Sequence, residues 1–156
     1  MTFMSKETIQ DHWPEEATFC WGCGKNNEYG LHLKSYWDGN ETIATWTPQE
    51  HHTAFPGILN GGIISTLIDC HTTGTANAAA HIKSGNKTHS MFVTGSLSVK
   101  FHKPTPLDKP VTLRARIEEM NEKRIRVSCN LYSGETITAS GETECFRVNL
   151  AGFLGK

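Results

Sequence analysis

Long hydrophobic runs are missing from this chain. No apolar stretch approaches the roughly 20 residues that a membrane-crossing helix needs. No basic segment followed by an apolar core opens the sequence either, so neither a membrane span nor a secretory leader is expected. A charge excess is also missing: fifteen Lys and Arg stand against sixteen Asp and Glu, a net charge of -1. That balance excludes a general nucleic-acid binder, which needs clustered positive charge to displace counterions. The expectation is a soluble, cytoplasmic protein with neither nucleic acid nor membrane as partner. A second Cys-x-x-Cys pair is missing: the five cysteines are Cys20, Cys23, Cys70, Cys129 and Cys145. Cys20-Trp-Gly-Cys23 has no second pair to complete a four-thiolate ribbon, so loop packing is the first reading, with zinc or redox chemistry as alternatives. Alternating βαβ units, internal repeats and low-complexity segments are absent, and 156 residues suit one domain with its own core.

What is present is one long helical pattern, and the chain is organised around it. Pro56-Gly57 punctuates a loop, and Asn60 can cap a helix by accepting from first-turn amides, so a helix should open at Gly61 or Gly62. From there Ile64, Leu67, Ile68, His71, Thr75, Ala78, Ala79 and Ile82 recur at spacings of three and four. Asp69 interrupts the apolar pattern, with Ser65, Thr72 and Thr73 about one turn away. A solvated polar face would explain such a residue. The glycine pair at the helix start favours a catalytic carboxylate instead, because free amides at a helix N-terminus can stabilise a developing oxyanion. Asp69 follows Gly61 by eight residues, about 12 Å along one helix at about 1.5 Å per residue. The two cannot reach one carbonyl from a single chain, so a joint role requires the amide from one protomer and the carboxylate from its two-fold mate.

Strand patterns occupy most of the rest. Residues 31–37 and 41–47 form a hairpin across Asp38-Gly39-Asn40, with Ile43 and Thr45 on one face and Ala44 and Trp46 on the other. Beyond the helix and a turn over 83–88, Phe92, Thr94, Ser96, Ser98 and Lys100 alternate with Val93, Gly95, Leu97, Val99 and Phe101. Period-two runs over 111–119, 124–132 and 136–148 follow, joined by short turns as in an antiparallel meander. Residues 1–17 show no clear period, so a loosely attached arm or a short helix is expected there. His51 and His52 lie in the approach to the helix, where at most one can face a site. The fold class is α+β: one central helix and a curved antiparallel sheet of five to six strands that wraps it.

Asn60-Gly61-Gly62, then Asp69, then Val93-Thr-Gly-Ser-Leu-Ser-Val-Lys-Phe-His-Lys-Pro104, with Cys-Trp-Gly-Cys-Gly at 20–24 and Arg-Val-Ser-Cys-Asn at 126–130, together resemble the hotdog-fold acyl-CoA thioesterases. The likeness is to the branch that holds phenylacetate-pathway (PaaI-like) thioesterases and thioesterase superfamily member 4, and it runs over about Phe19 to Val148. It implies a single hotdog domain over 19–150, flanked by an arm over 1–18 and a tail over 151–156. It implies hydrolysis of an acyl-CoA thioester to a free acid and coenzyme A, with no separate cofactor and no metal, in a homodimer or a dimer of dimers. The resemblance gives Gly61 the role of amide donor to the thioester carbonyl, Asp69 that of general base or nucleophile, and Thr94 that of holding the attacking water. The family's usual histidine is replaced by Asn60, which can donate a hydrogen bond but cannot titrate. A carbonyl-facing role for Asn60 competes with a full cap.

Substrate contacts are expected from Gly62 and Ser65, from Phe55, Ile58 and Leu59 along an apolar acyl tunnel, and from His102, Lys103, Arg124 and Arg126 toward the coenzyme A phosphates. Two rival functions share the fold: a hydratase, disfavoured by the lack of an Asp-x-x-x-x-His run after the helix start, and a non-catalytic binder of acyl-CoA or a small ligand.

Overall fold

The computed structural model of the protein describes residues 7–85 and 90–156; residues 1–6 of the expected arm and 86–88 of the expected turn lie outside them. Six strands form one antiparallel sheet: β1 (Ser35–Trp37), β2 (Thr42–Trp46), β3 (Ser90–Phe101), β4 (Val111–Met120), β5 (Arg124–Ser133) and β6 (Thr136–Asn149), in the spatial order β1-β2-β4-β5-β6-β3. The 24-residue helix α1 (Gly61–Ser84) touches all six strands, and a short helix α2 (Leu150–Phe153) follows β6. This is the hotdog arrangement. The meander β4-β5-β6 pairs in chain order, whereas β3, entered after the helix crosses the sheet, lands on the far edge beside β6.

Period-two alternation explains the core. Val111, Leu113 and Ala115 of β4, Ile125, Val127, Cys129 and Leu131 of β5 and Ala139 and Cys145 of β6 are buried on the face that meets Ile64, Leu67 and Ile68 of α1. Burying whole aliphatic side chains in this way stabilises by about 1.5–3 kcal/mol each. The helix stops at Gly85, whose φ of +63° is the left-handed conformation that glycine adopts without steric penalty. Of the predicted helix face, Ile82 alone is substantially exposed.

A polar network sits deep in the interface, with His71, Ser35, Thr42 and Thr75 among its buried members. His71 is fully buried; its Nε2 donates to the Thr42 carbonyl at 3.1 Å, and its Nδ1 accepts from Ser35 Oγ at 2.8 Å. Ser35 in turn bonds Gln10 through both its backbone and its side chain. Burial drives the His71 pKa down to about 4, partly opposed by the Thr42 carbonyl.

Of the two readings of the N-terminal segment, the short helix fits its described part: 3-10 turns at Ile9–His12 and Glu15–Phe19 dock it and bring Ile9 to 1% exposure. One expectation needs correction. Residues 31–34 do not extend β1, because the Leu31 and Leu33 amides donate to the carbonyls of Trp21 and Gly22 and so hold the cysteine loop.

Candidate active site

The start of α1 has one unused backbone donor among the described residues. Asn60 caps the helix as its sequence position predicts, with Oδ1 accepting from Gly62 N at 2.8 Å and Ile63 N at 3.2 Å. Its carbonyl accepts from Ile64 N, and its own amide donates to the His52 carbonyl. Among first-turn amides, only that of Gly61 has no acceptor among the described residues. Capping and carbonyl binding therefore do not compete in the way expected: the cap occupies Oδ1, and no described residue accepts from the Asn60 NH2 group. A side chain at Gly61 would place its Cβ 3.3 Å from the Phe101 ring, so the free amide lies beside an aromatic that is 56% exposed.

Two turns along the helix, Asp69 is half-buried, and its Oδ1 accepts a 2.6 Å hydrogen bond from Thr94 Oγ1. Thr94 Oγ1 also meets Thr73 Oγ1 at 2.8 Å. Of the three hydroxyl residues expected to flank Asp69, only Thr73 joins the network of its carboxylate, through Thr94, while Thr72 Oγ1 reaches only the Asp69 backbone carbonyl. Thr72 is buried against Thr143 on the sheet side, and Ser65 bonds back to the Gly61 carbonyl. Cys145 packs at Thr73, its thiol pushed up to about 11 by burial.

Strict alternation along β3 would put Thr94 and Phe101 on opposite faces. A bulge at Gly95 breaks it: Thr94 pairs with Cys145 and Ser96 with Glu144, so one residue drops out of the ladder. Thr94, Leu97, Val99 and Phe101 consequently all share the helix-facing side, opposite Cys145, Thr143, Gly141 and Ala139. The bulge explains the glycine, because a Cβ at position 95 would stand 2.3 Å from the Phe146 ring. Asp69 with Thr94 and Gly61 with Phe101 thus mark two ends of one face of β3, whose residues 94–98 are exposed.

The remaining expected contacts scatter. Phe55 is 74% exposed and Ile58 is half-buried in a bridge to Pro106, while Leu59 at 2% exposure belongs to the core. Gly62 is exposed with its amide used by the cap. His102 and Lys103 are exposed at the Phe101 end of β3, His102 bonded to Ser140. Arg124 and Arg126 do not join them. They flank the buried Ile125, so they project from the opposite face of the sheet. There they pair with Glu119, Glu142 and Glu144. Phe101 is the site residue that sequence reasoning passed over, since only the bulge brings it to the helix start.

A separate cavity of about 430 Å³ is lined by Tyr29, His32, Trp46, Gln49, His51 and His52. His52 is buried on the Trp46 ring and accepts from Gln49 N; burial, then the neighbouring His51, lowers its pKa. Neither Asp69 nor Gly61 borders this cavity. Elsewhere, Cys20 and Cys23 meet Cys70 of α1, with Sγ of Cys20 and Cys70 3.8 Å apart. Hydrogen bonds with the Cys23 and Cys70 thiols pull the Cys20 pKa down and push theirs up.

Residues 56–140 match the family model described as thioesterase superfamily. A thioesterase superfamily protein from Shewanella loihica PV-4 is 35% identical and superposes with a TM-score of 0.64, over 80% of this chain and 97% of that one. The PaaI protein from the E. coli phenylacetic acid degradation operon shares the fold at 13% identity and a TM-score of 0.64, over 76% of this chain and 80% of that one. Acyl-coenzyme A thioesterase THEM4 of Bos taurus is 25% identical over 67% of this chain, and that of Mus musculus 26% over 70%. The chain spans 39% and 43% of the lengths of those two curated relatives. With more than half of its length under the family model, and a thioesterase superfamily structure 35% identical over most of both chains, the chain belongs to the thioesterase superfamily.

Proposed function

We propose that this protein is an acyl-CoA thioesterase whose active site is assembled across a homodimer, with Asp69 from one protomer and the Gly61 amide from the other. The observation that carries the reading is the bulge at Gly95, which sets Asp69 with Thr94 and Gly61 with Phe101 on one face, at opposite ends of an exposed edge strand. An exposed edge of this length invites pairing with another strand. If two copies of β3 pair antiparallel about a two-fold axis at Ser98, Leu97 stands opposite the partner's Val99 and Thr94 opposite the partner's Phe101. Directly opposed residues share a face in such a ladder, and this register satisfies that rule only because of the bulge. It carries Asp69 toward the partner's Gly61, which the roughly 12 Å separation within one helix forbids in a single chain.

In this site water attacks the thioester carbon while Asp69 takes its proton, Thr94 holding one carboxylate oxygen and leaving Oδ2 for the water. The carbonyl oxygen, now negative, accepts from Gly61 N–H, with the Asn60 NH2 group as second donor. Collapse breaks the C–S bond, and the coenzyme A thiolate recovers the proton from Asp69. His102 and Lys103 supply positive charge for the phosphates, whereas the ion-paired Arg124 and Arg126 are not assigned to them. The protein acts in the cytoplasm; no helix among the described residues is long and apolar enough to cross a membrane.

The test uses two variants. Gly61→Pro removes the amide proton at a helix position that tolerates proline, and should lower turnover of an acyl-CoA panel by about 100-fold or more. Asp69→Ala should abolish it. Mixing the two inactive variants rebuilds one intact site in each heterodimer, which returns about a quarter of wild-type activity under random reassortment. No recovery on mixing, with subunit exchange demonstrated by mass, refutes the shared site. Binding of acyl-CoA by wild type without release of coenzyme A refutes the enzymatic reading in favour of a binding module. Single turnover in ¹⁸O-water followed by peptide mass analysis separates base from nucleophile, since only attack by Asp69 itself labels its carboxylate.

A further inference from the structure

Cys20, Cys23 and Cys70 lie outside the proposed reaction, yet the fold brings them together from segments fifty residues apart. Their sulfurs all fall within 4.8 Å of one another. Four-coordinate Zn²⁺ with Zn–S bonds of about 2.3 Å sets its sulfurs about 3.8 Å apart, and Cys20 and Cys70 stand at 3.8 Å. The loop is shaped for the purpose. A Cβ at Gly22 would lie 2.4 Å from Cys70 Sγ, and one at Gly24 would lie 2.3 Å from the Thr18 carbonyl, so only glycines let the loop close on the helix. The Trp13 indole packs against the same core cluster that holds Cys23. That indole nitrogen is buried and has no conventional acceptor. A buried N–H without an acceptor suits metal-bound sulfur, and a disulfide between two of the three cysteines would leave the third without a role.

We propose that Cys20, Cys23 and Cys70 are the protein ligands of a structural Zn²⁺ site that clamps the loop 20–24 to the middle of α1. Binding displaces the thiol protons to solvent and forms three Zn–S bonds. The exposed side of Cys20 leaves room for a water as fourth ligand. The site is distinct from the proposed hydrolytic centre, although Cys70 adjoins Asp69 in the chain, and its test does not depend on turnover.

Reduced, chelator-stripped full-length protein is titrated with Co²⁺ as a spectroscopic stand-in and then with Zn²⁺. The expected result is one equivalent bound, thiolate-to-cobalt charge transfer with tetrahedral ligand-field bands, and displacement by Zn²⁺. Zinc should also shield Cys20, the exposed one of the five cysteines, from a thiol reagent. Cys20→Ser, at the exposed ligand, should lose charge-transfer intensity. Trp13→Phe, which keeps every ligand, should weaken binding by about tenfold. The proposal is overturned if wild type gives no tetrahedral spectrum, if zinc protects no thiol, or if a folded Cys20→Ser protein gives the wild-type spectrum. The wild-type spectrum and the thiol protection decide the matter even if a variant fails to fold.

Discussion

Lowering the pH should destabilise this protein through His71, by an amount that the structure sets. The imidazole is fully buried and its two nitrogens are matched for the neutral ring, one donating to the Thr42 carbonyl and one accepting from Ser35. A second ring proton would face Ser35 Oγ, whose own proton then needs another acceptor; the Gln10 NH2 group already at that oxygen is a donor. The folded pKa is about 4 against 6.5 for a solvent-exposed histidine. Between these values the unfolded chain binds the proton and the folded one does not, so stability rises with pH across that window. The contribution is complete above 6.5 and is lost as pH falls toward about 4. The slope approaches about 1.4 kcal/mol per pH unit, or about 2 kcal/mol between neutrality and pH 5. The assay is urea unfolding at constant protein concentration over this range, for wild type and for His71→Gln, which keeps an NH donor for Thr42 but cannot titrate. His71→Gln should be less stable at neutral pH and lose less on acidification, so that the two curves converge. Parallel curves, or a His71 ring resonance titrating in the folded protein as a solvent-exposed histidine does, would refute the reasoning.

Two further outcomes follow from the site geometry. Thr94→Val keeps the shape of the side chain but removes the hydrogen bond to Asp69; bonds to charged groups contribute about 1.5–3 kcal/mol, and at this exposed site kcat should fall about tenfold with the melting temperature nearly unchanged. Gly95→Ala sets a methyl against the Phe146 ring and presses on the bulge, so activity should fall more than stability does, and Phe146→Ala in the same chain should restore activity, as measured by paired turnover and thermal melts.

The secondary structure was legible because its determinants are local. Helix spacing from Ile64 onward, Asn60 as cap and period-two runs in the last three strands need only the chain's own stereochemistry. The wrapping of one helix by one sheet followed from there being nowhere else to bury either face. Family-level pattern led to Asp69, Gly61 and Thr94, but not to their arrangement. Three-dimensional contact decided that Thr72 meets the sheet at Thr143 while Thr73 meets Thr94, the hydrogen-bond partner of Asp69, because consecutive helix residues point about 100° apart. It decided that Arg124 and Arg126 face carboxylates on the outer surface, since cross-strand partners depend on register rather than on sequence proximity. The bulge at Gly95 lay beyond sequence reading because alternation there looks unbroken. Only the clash that a Cβ would make with Phe146, a residue some fifty positions away, reveals why one step of the ladder is skipped and why Thr94 and Phe101 share a face.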